Sequence, residues 1–97
     1  MPHYVLLMNL TEKGVAEIKN APARVAEAVK AGEAIGGKML AFYMVMGEYD
    51  YIAIAEGTDD ESMAMFLLGL AKDGYVRTKT LKAFTLEELT AIVAKLP

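Results

Sequence analysis

The sequence has no cysteine, no tryptophan, a single histidine, a single serine and three prolines in 97 residues. Without cysteine there is no disulfide, no thiolate metal site and no cysteine nucleophile. The one histidine, His3, stands at the chain start, where a solvated side chain is the ordinary reading and a proton shuttle or haem ligand the sharper one. Ser62 opens a helix with no base nearby in the sequence, so nucleophilic serine catalysis has no support. No His/Asp/Glu set stands at metal-ligand spacing. Asp59-Asp60-Glu61 is explained by a helix cap and lacks the longer alternating pattern of a calcium loop, so no metal and no cofactor are expected. No apolar run approaches the roughly 18–20 residues of a membrane span, and no charged segment leads to a cleavage site. A cytoplasmic, membrane-free protein is therefore expected. Positive charge is also short: 10 Lys+Arg against 13 Asp+Glu give −3, with a pI near 5.1. That balance argues against a nucleic-acid partner.

What the chain has in excess is apolar residues, at 55% and a mean hydropathy of +0.28. A soluble domain ordinarily carries about 45–50%. The length suits one domain, residues 1–97, and so small a domain has little interior in which to hide the surplus. Part of it is expected in a subunit interface.

His3 to Leu10 reads as a strand buried on both faces. Thr11 offers a helix N-cap, with Glu12 in the first turn where its charge suits the helix dipole. Val15, Ile18, Pro22, Val25, Val29 and Gly32 then mark the stripe of an amphipathic helix about 24 residues long. Pro22 should kink or split that helix, because it removes an N–H bond to the Ile18 carbonyl. Gly36-Gly37 ends it. Strands are expected over Lys38–Met46 and Tyr49–Glu56, joined at Gly47-Glu48 by a two-residue type II′ turn. Thr58 to Glu61 reads as a capping box for a helix ending at Asp73-Gly74. Tyr75 to Phe84 is a fourth strand. Thr85 to Glu88 is a second capping box, opening a last helix with Leu86, Leu89, Ile92, Val93 and Leu96 on its buried stripe.

The order is β-α-β-β-α-β plus a C-terminal helix, an α+β ferredoxin-like pattern on a four-stranded antiparallel sheet of order 4-1-3-2. Right-handed crossovers place both helices on one face and leave the other bare. A solvated face should alternate apolar and polar residues. The second strand does not: Leu40, Phe42, Met44 and Met46 lie on one side, Met39, Ala41, Tyr43 and Val45 on the other. Two bare faces enclosing a dimeric α/β barrel would account for this, and the C-terminal helix folding back over the sheet is the alternative.

No G-x-G-x-x-G follows a strand, since Gly36-Gly37 ends a helix, so a dinucleotide fingerprint is absent. The RNA-recognition module shares the strand order but needs a basic-Gly-aromatic motif in its third strand. Tyr49 to Glu56 lacks one, and RNA binding is rejected. The polar and aromatic candidates that remain are Tyr43, Tyr49, Asp50 and Tyr51 at the hairpin, Arg77 and Thr78 on the fourth strand, and Lys19 and Arg24 flanking Pro22. Asp50 and Arg77 read either as a structural ion pair or as the polar anchor of an anionic ligand. Lys19 and Arg24 read as solvated helix charges, or as a pocket edge if the kink opens the backbone.

These residues carry a resemblance. Tyr4-Val5, Thr11 with Gly14, Ile18-Lys19 with Pro22 and Arg24, Gly36-Gly37, Tyr43, Asp59-Asp60, Val76-Arg77-Thr78 and Ala83-Phe84-Thr85 fall in the order of the GYD domain family. Its namesake motif, glycine, a variable residue, then Tyr-Asp, is Gly47 to Asp50 here. The chain departs from many members in having Leu10 where they carry tryptophan. The family is similar to the dimeric α/β-barrel superfamily, whose members include cofactor-less monooxygenases, haem-handling enzymes, isomerases and amino-acid-sensing domains. The resemblance implies a fold and a homodimer, and no particular reaction.

Two functions follow as expectations. One is a dimeric barrel that takes a small apolar or anionic molecule, with cofactor-free oxygen or proton chemistry resting on Tyr43 or Tyr51 as donor and Asp50 as base. The other is a non-catalytic sensor or oligomerisation module. A cavity beside Asp50 and Arg77 would favour the first, a solidly packed sheet interface the second.

Overall fold

A computed structural model describes residues 1–97. The chain runs through β1 (His3–Leu10), α1 (Glu12–Ala16), a 3₁₀ turn (Ile18–Asn20), α2 (Ala21–Ala34), β2 (Lys38–Met44), β3 (Tyr51–Glu56), α3 (Asp60–Asp73), β4 (Val76–Ala83) and α4 (Leu86–Val93). All strand pairs are antiparallel in the order β2-β3-β1-β4. This is the expected ferredoxin-like sheet. No helix is long and apolar enough to cross a membrane.

Thr11 starts α1 as anticipated, its Oγ1 accepting from the Gly14 N–H at 3.1 Å. The same hydroxyl donates to the Gly74 carbonyl at 2.6 Å, which ties α1 to the end of α3. The helix is split, one of the two outcomes read from Pro22: the chain leaves α1 at Ala16, makes the 3₁₀ turn, and restarts at Ala21. Pro22 thereby falls in the first turn of α2, where a missing N–H breaks no helical bond.

The β2–β3 connection is longer than a two-residue turn. Val45 N–H donates to the Asp50 carbonyl at 2.9 Å, closing a wider loop in which Gly47 has φ +126°. The cause lies in Asp50, which is committed to the end of β1. Its N–H donates to the Met8 carbonyl at 2.9 Å, and its Oδ2 accepts from the Leu10 N–H at 2.8 Å. Pairing of β2 with β3 therefore begins only at Met44 and Tyr51.

A bulge at Leu40 corrects the expected faces of β2. Met39 pairs with Ala55, yet Ala41 already pairs with Ile54. One extra residue switches the side on which every later side chain lies. Met39 and Phe42 consequently pack against the core beneath the helices, while Ala41 and Tyr43 share the bare face with Ile54 and Ile52. In β1, Tyr4, Leu6 and Met8 point to the helices and are buried with Tyr51, Ala53 and Met63. The bare face carries Val5 and Leu7 opposite Ile54 and Ile52, with Leu81 beyond Val5.

Asp59, not Thr58, caps α3, its side chain accepting from the Ser62 N–H at 2.8 Å. Thr58 turns its hydroxyl to Ser62 Oγ instead, at 3.1 Å, so the expected capping box does not form and the cap moves one residue along. At α4 the box forms as read, with Thr85 and Glu88 bonded reciprocally at 2.9 and 3.1 Å. Its apolar stripe is nevertheless not buried: Leu86 is 79% exposed and Leu89 50%. The helix makes no extensive contact with any other element, in a molecule drawn out to 53 Å against 31 and 18 Å. Its own chain offers the stripe no surface.

Candidate functional site

The helices bridge the sheet without filling the space beneath them. A cavity of about 710 Å³ lies between the sheet and the α2/α3 pair, floored by Leu6, Met8, Tyr51 and Ala53 and walled by Val25 and Phe66. Its origin is the small-residue content of both layers. Ala28, Ala31 and Gly32 line it from α2, and Ala53 and Ala55 from β3. No residue of α2 is fully buried. The wall is mostly hydrophobic, the composition of a small-molecule pocket.

A polar cluster lies at one end around Arg24, and Lys38, Glu56, Thr58 and Ser62 also reach the lining. Arg24, part-buried on α2, donates from one terminal nitrogen to the Glu17 carbonyl at 3.0 Å. Its guanidinium carbon stands 4.0 Å from the centre of the Tyr75 ring. Lys13 Nζ approaches the same ring at 4.3 Å and donates to the Asp73 carbonyl at 3.0 Å. Neither cation is ion-paired: the chain's ion pair is Lys82–Asp60 at 3.0 Å, and His3 Nε2 approaches Glu56 at 3.7 Å. Glu27 and Asp73 reach the rim of the cavity but are solvent-exposed.

Of the residues singled out in the sequence, the structure brings Arg24 and Tyr51 to this cavity. Tyr51 stacks on Phe42 with ring centres 5.1 Å apart. The others lie elsewhere. Tyr43 is 61% exposed on the bare face, where Arg77 also lies, in register with Asn9. Tyr49 is within 5.8 Å of Lys79 Nζ. Asp50 serves backbone groups at the end of β1. Thr78 and Arg77 border a separate depression of about 350 Å³ beside Thr11 and Gly74, and Lys19 is exposed in the 3₁₀ turn. Asp50 and Arg77 form no ion pair within the chain, and the large cavity is on the other side of the sheet from Arg77. Tyr75 and Phe66 were not anticipated as site residues. The Gly74-Tyr75 junction, an aromatic placed directly after a helix-ending glycine, was the available signal for the first.

The groups with displaced pKa values serve the fold. Burial, reinforced by its bond to Asp60, pushes the Tyr4 phenol up to about 12. The bond from Tyr4 and a second from Lys82 hold the Asp60 carboxyl below its ordinary range. Backbone N–H groups at the two helix caps do the same for Asp59 and Glu88. None of the four lines the cavity.

The model of the GYD domain matches residues 4–93. The chain belongs to the GYD domain family. Among the relatives of this GYD protein is one from Thermus thermophilus, named a glutamine synthetase and cystathionine beta-lyase binding protein. The two are 34% identical over 92 residues, covering 94% of this chain and 97% of the relative. Among solved structures, the chain is similar to a feast or famine regulatory protein from M. tuberculosis complexed with L-methionine. There the TM-score is 0.66 at 15% identity, covering 88% of this chain but only 51% of that one. FFRP-DM1 gives a TM-score of 0.62 at 20% identity, covering 87% of this chain and all of that one. At such identities the likeness is one of fold.

Proposed function

We propose that this GYD protein is a non-catalytic binding module that takes a small, largely apolar molecule into the cavity between its helices and its sheet. The cavity itself supports this reading. A space of about 710 Å³ is in the range of drug-sized sites, and its wall is mostly hydrophobic. The acid–base pair that catalysis would need is not assembled there, because Asp50 is taken up by the Leu10 N–H and Tyr43 faces away. A binding role also suits the Thermus relative, which is named for binding other proteins. The test is titration with N-phenyl-1-naphthylamine, a neutral apolar fluorophore. Saturable uptake by the wild-type protein, lost in Ala28→Phe where the added ring fills the space, is expected. Absence of saturable uptake, or uptake unchanged in Ala28→Phe, overturns the proposal.

A second reading concerns self-association, and a separate observation favours it. The bare sheet face presents Val5, Leu7, Ile52, Ile54 and Leu81 with no covering layer, and the stripe of α4 is open as well. We propose that the sheet face mates with that of a second copy in a twofold homodimer, since an isologous contact buries both patches at once.

A further inference from the structure

The cavity is apolar over most of its wall. Of its charged lining residues Arg24 is the one part-buried cation; Lys38, Glu27 and Asp73 are exposed, and part-buried Glu56 stands beside His3. Arg24 has five N–H donors in a planar fork. The structure accounts for one, given to the Glu17 carbonyl at 3.0 Å. The Tyr75 ring lies 4.0 Å from the guanidinium carbon, face to cation, and uses up none of the Arg24 N–H groups in a conventional hydrogen bond. Lys13, at 4.3 Å from the same ring centre, adds a second cation without an ion-pair partner. Two positive charges thus meet at one aromatic ring with no carboxylate in ion-pair reach. The ring's electron-rich face eases that crowding, yet leaves the remaining donors of Arg24 to water or to a ligand.

We infer that the ligand is an amphipathic carboxylate: an apolar body between α2 and the sheet, and a single anionic head on Arg24. The planar fork of arginine matches the two oxygens of a carboxylate. The flanking Tyr75 ring and the Glu17 carbonyl fix the orientation of that fork before the ligand arrives, which reduces the ordering cost of binding. Lys13 contributes long-range attraction at the mouth and no fixed geometry. This inference rests on the cavity being a ligand site, and it adds the chemical class of the occupant.

The experiment compares decanoate with 1-decanol, equal in chain and different in charge, by isothermal titration calorimetry. The proteins are wild type, Arg24→Met, Arg24→Lys and Ala28→Phe, each with its melting midpoint measured. Wild type should bind decanoate roughly 10-fold or more tighter than 1-decanol, the worth of a hydrogen-bonded charge pair. Arg24→Met should remove that preference by weakening decanoate far more than 1-decanol. Arg24→Lys should keep part of the preference, and Ala28→Phe should abolish binding of both. Equal affinity of the two compounds for wild type, or a preference that survives Arg24→Met, overturns the carboxylate assignment while the cavity remains a binding site. Failure of both compounds to bind wild type overturns the cavity reading and this inference with it. The wild-type comparison alone decides the matter should Arg24→Met fail to fold.

Discussion

Tyr4 donates its buried hydroxyl to Asp60 Oδ1 at 2.5 Å, while Lys82, its register partner on β4, reaches Oδ2 of the same carboxylate at 3.0 Å. One carboxylate in the first turn of α3 is therefore held by two adjacent strands of the sheet.

Tyr4→Phe should lower stability by about 1–2 kcal/mol, because a hydrogen bond to a charged group is lost at the edge of the core. For a domain of this size that is a fall of roughly 4–16 °C in melting midpoint. The pH dependence has a definite sign. The phenol titrates at about 12 in the folded protein against an ordinary 10, so folded protein keeps a proton that the unfolded chain has released between those values. Stability is fully present below pH 10 and falls as pH rises toward 12. Denaturant melts across that window should show wild type converging on Tyr4→Phe. A parallel pair of curves would show that the phenol does not titrate in this way.

Gly14 admits no side chain. A β-carbon there would lie 2.2 Å from the Tyr75 carbonyl oxygen, and that oxygen already accepts from the Thr11 N–H at 3.1 Å. Both atoms are backbone held by a hydrogen bond, so neither yields easily. Gly14→Ala should cost about 3 kcal/mol, the upper end for overpacking. Because the same contact seats Tyr75 beside Arg24, binding of an anionic probe should weaken as well. A thermal scan and a decanoate titration measure the two effects. An unchanged midpoint would mean that α1 can shift away from β4.

Much of the fold was legible because local chemistry and global pattern agreed. Thr11, Pro22, the end at Gly74 and the Thr85–Glu88 box each mark an element boundary by a hydrogen bond or a missing one, and the strand order follows from the handedness of crossovers. The Leu40 bulge was not legible. Met39 to Val45 is apolar on both sides, so alternation could not show where the phase changes, and Met39 was assigned to the wrong face. The cap at Asp59 was one residue off because Thr58 and Asp59 are both good caps. The α4 stripe was correct as a pattern but not as burial, since periodicity marks an apolar face and does not say what covers it. The site was least legible. Arg24 and Tyr51 could be named as polar and aromatic candidates, but a cavity arises from small residues missing bulk on two layers. That is a property of the pairing of α2 with β3 and not of either segment alone.

The two faces of β2 and β3 make opposite predictions for the same chemistry. Ile52 lies on the bare face opposite Leu7, so Ile52→Glu should leave the monomer folded and convert a dimer to monomers in sedimentation velocity at micromolar concentration. Met39 packs against the buried core. Met39→Glu should unfold or aggregate the protein, because a carboxylate placed there has no partner. Leu89→Glu on the exposed stripe of α4 should leave the stability of the monomer within about 0.5 kcal/mol of wild type. Wild-type protein sedimenting as a monomer would remove the dimer proposal.

Asp50 and Arg77 provide the last test, because a coupling between them would be visible even if each mattered on its own. Asp50 Oδ2 accepts from the Leu10 N–H at 2.8 Å, and its own N–H is spent on the Met8 carbonyl. Arg77 is exposed beside Asn9 on the far strand of the sheet, with β1 between β4 and β3. Asp50→Ala should cost about 1–3 kcal/mol by leaving the Leu10 N–H without its acceptor. Asp50→Asn should cost less, since an amide oxygen can still accept that bond. In a cycle of Asp50→Asn with Arg77→Gln, the two effects should add to within about 0.5 kcal/mol, the behaviour of sites that share no partner. Urea unfolding of the four proteins, at a concentration low enough to hold them monomeric, reads the result. A coupling that appears only at higher concentration would place the two residues against each other across the sheet-to-sheet interface, where Arg77 of one copy would then face the hairpin of the next.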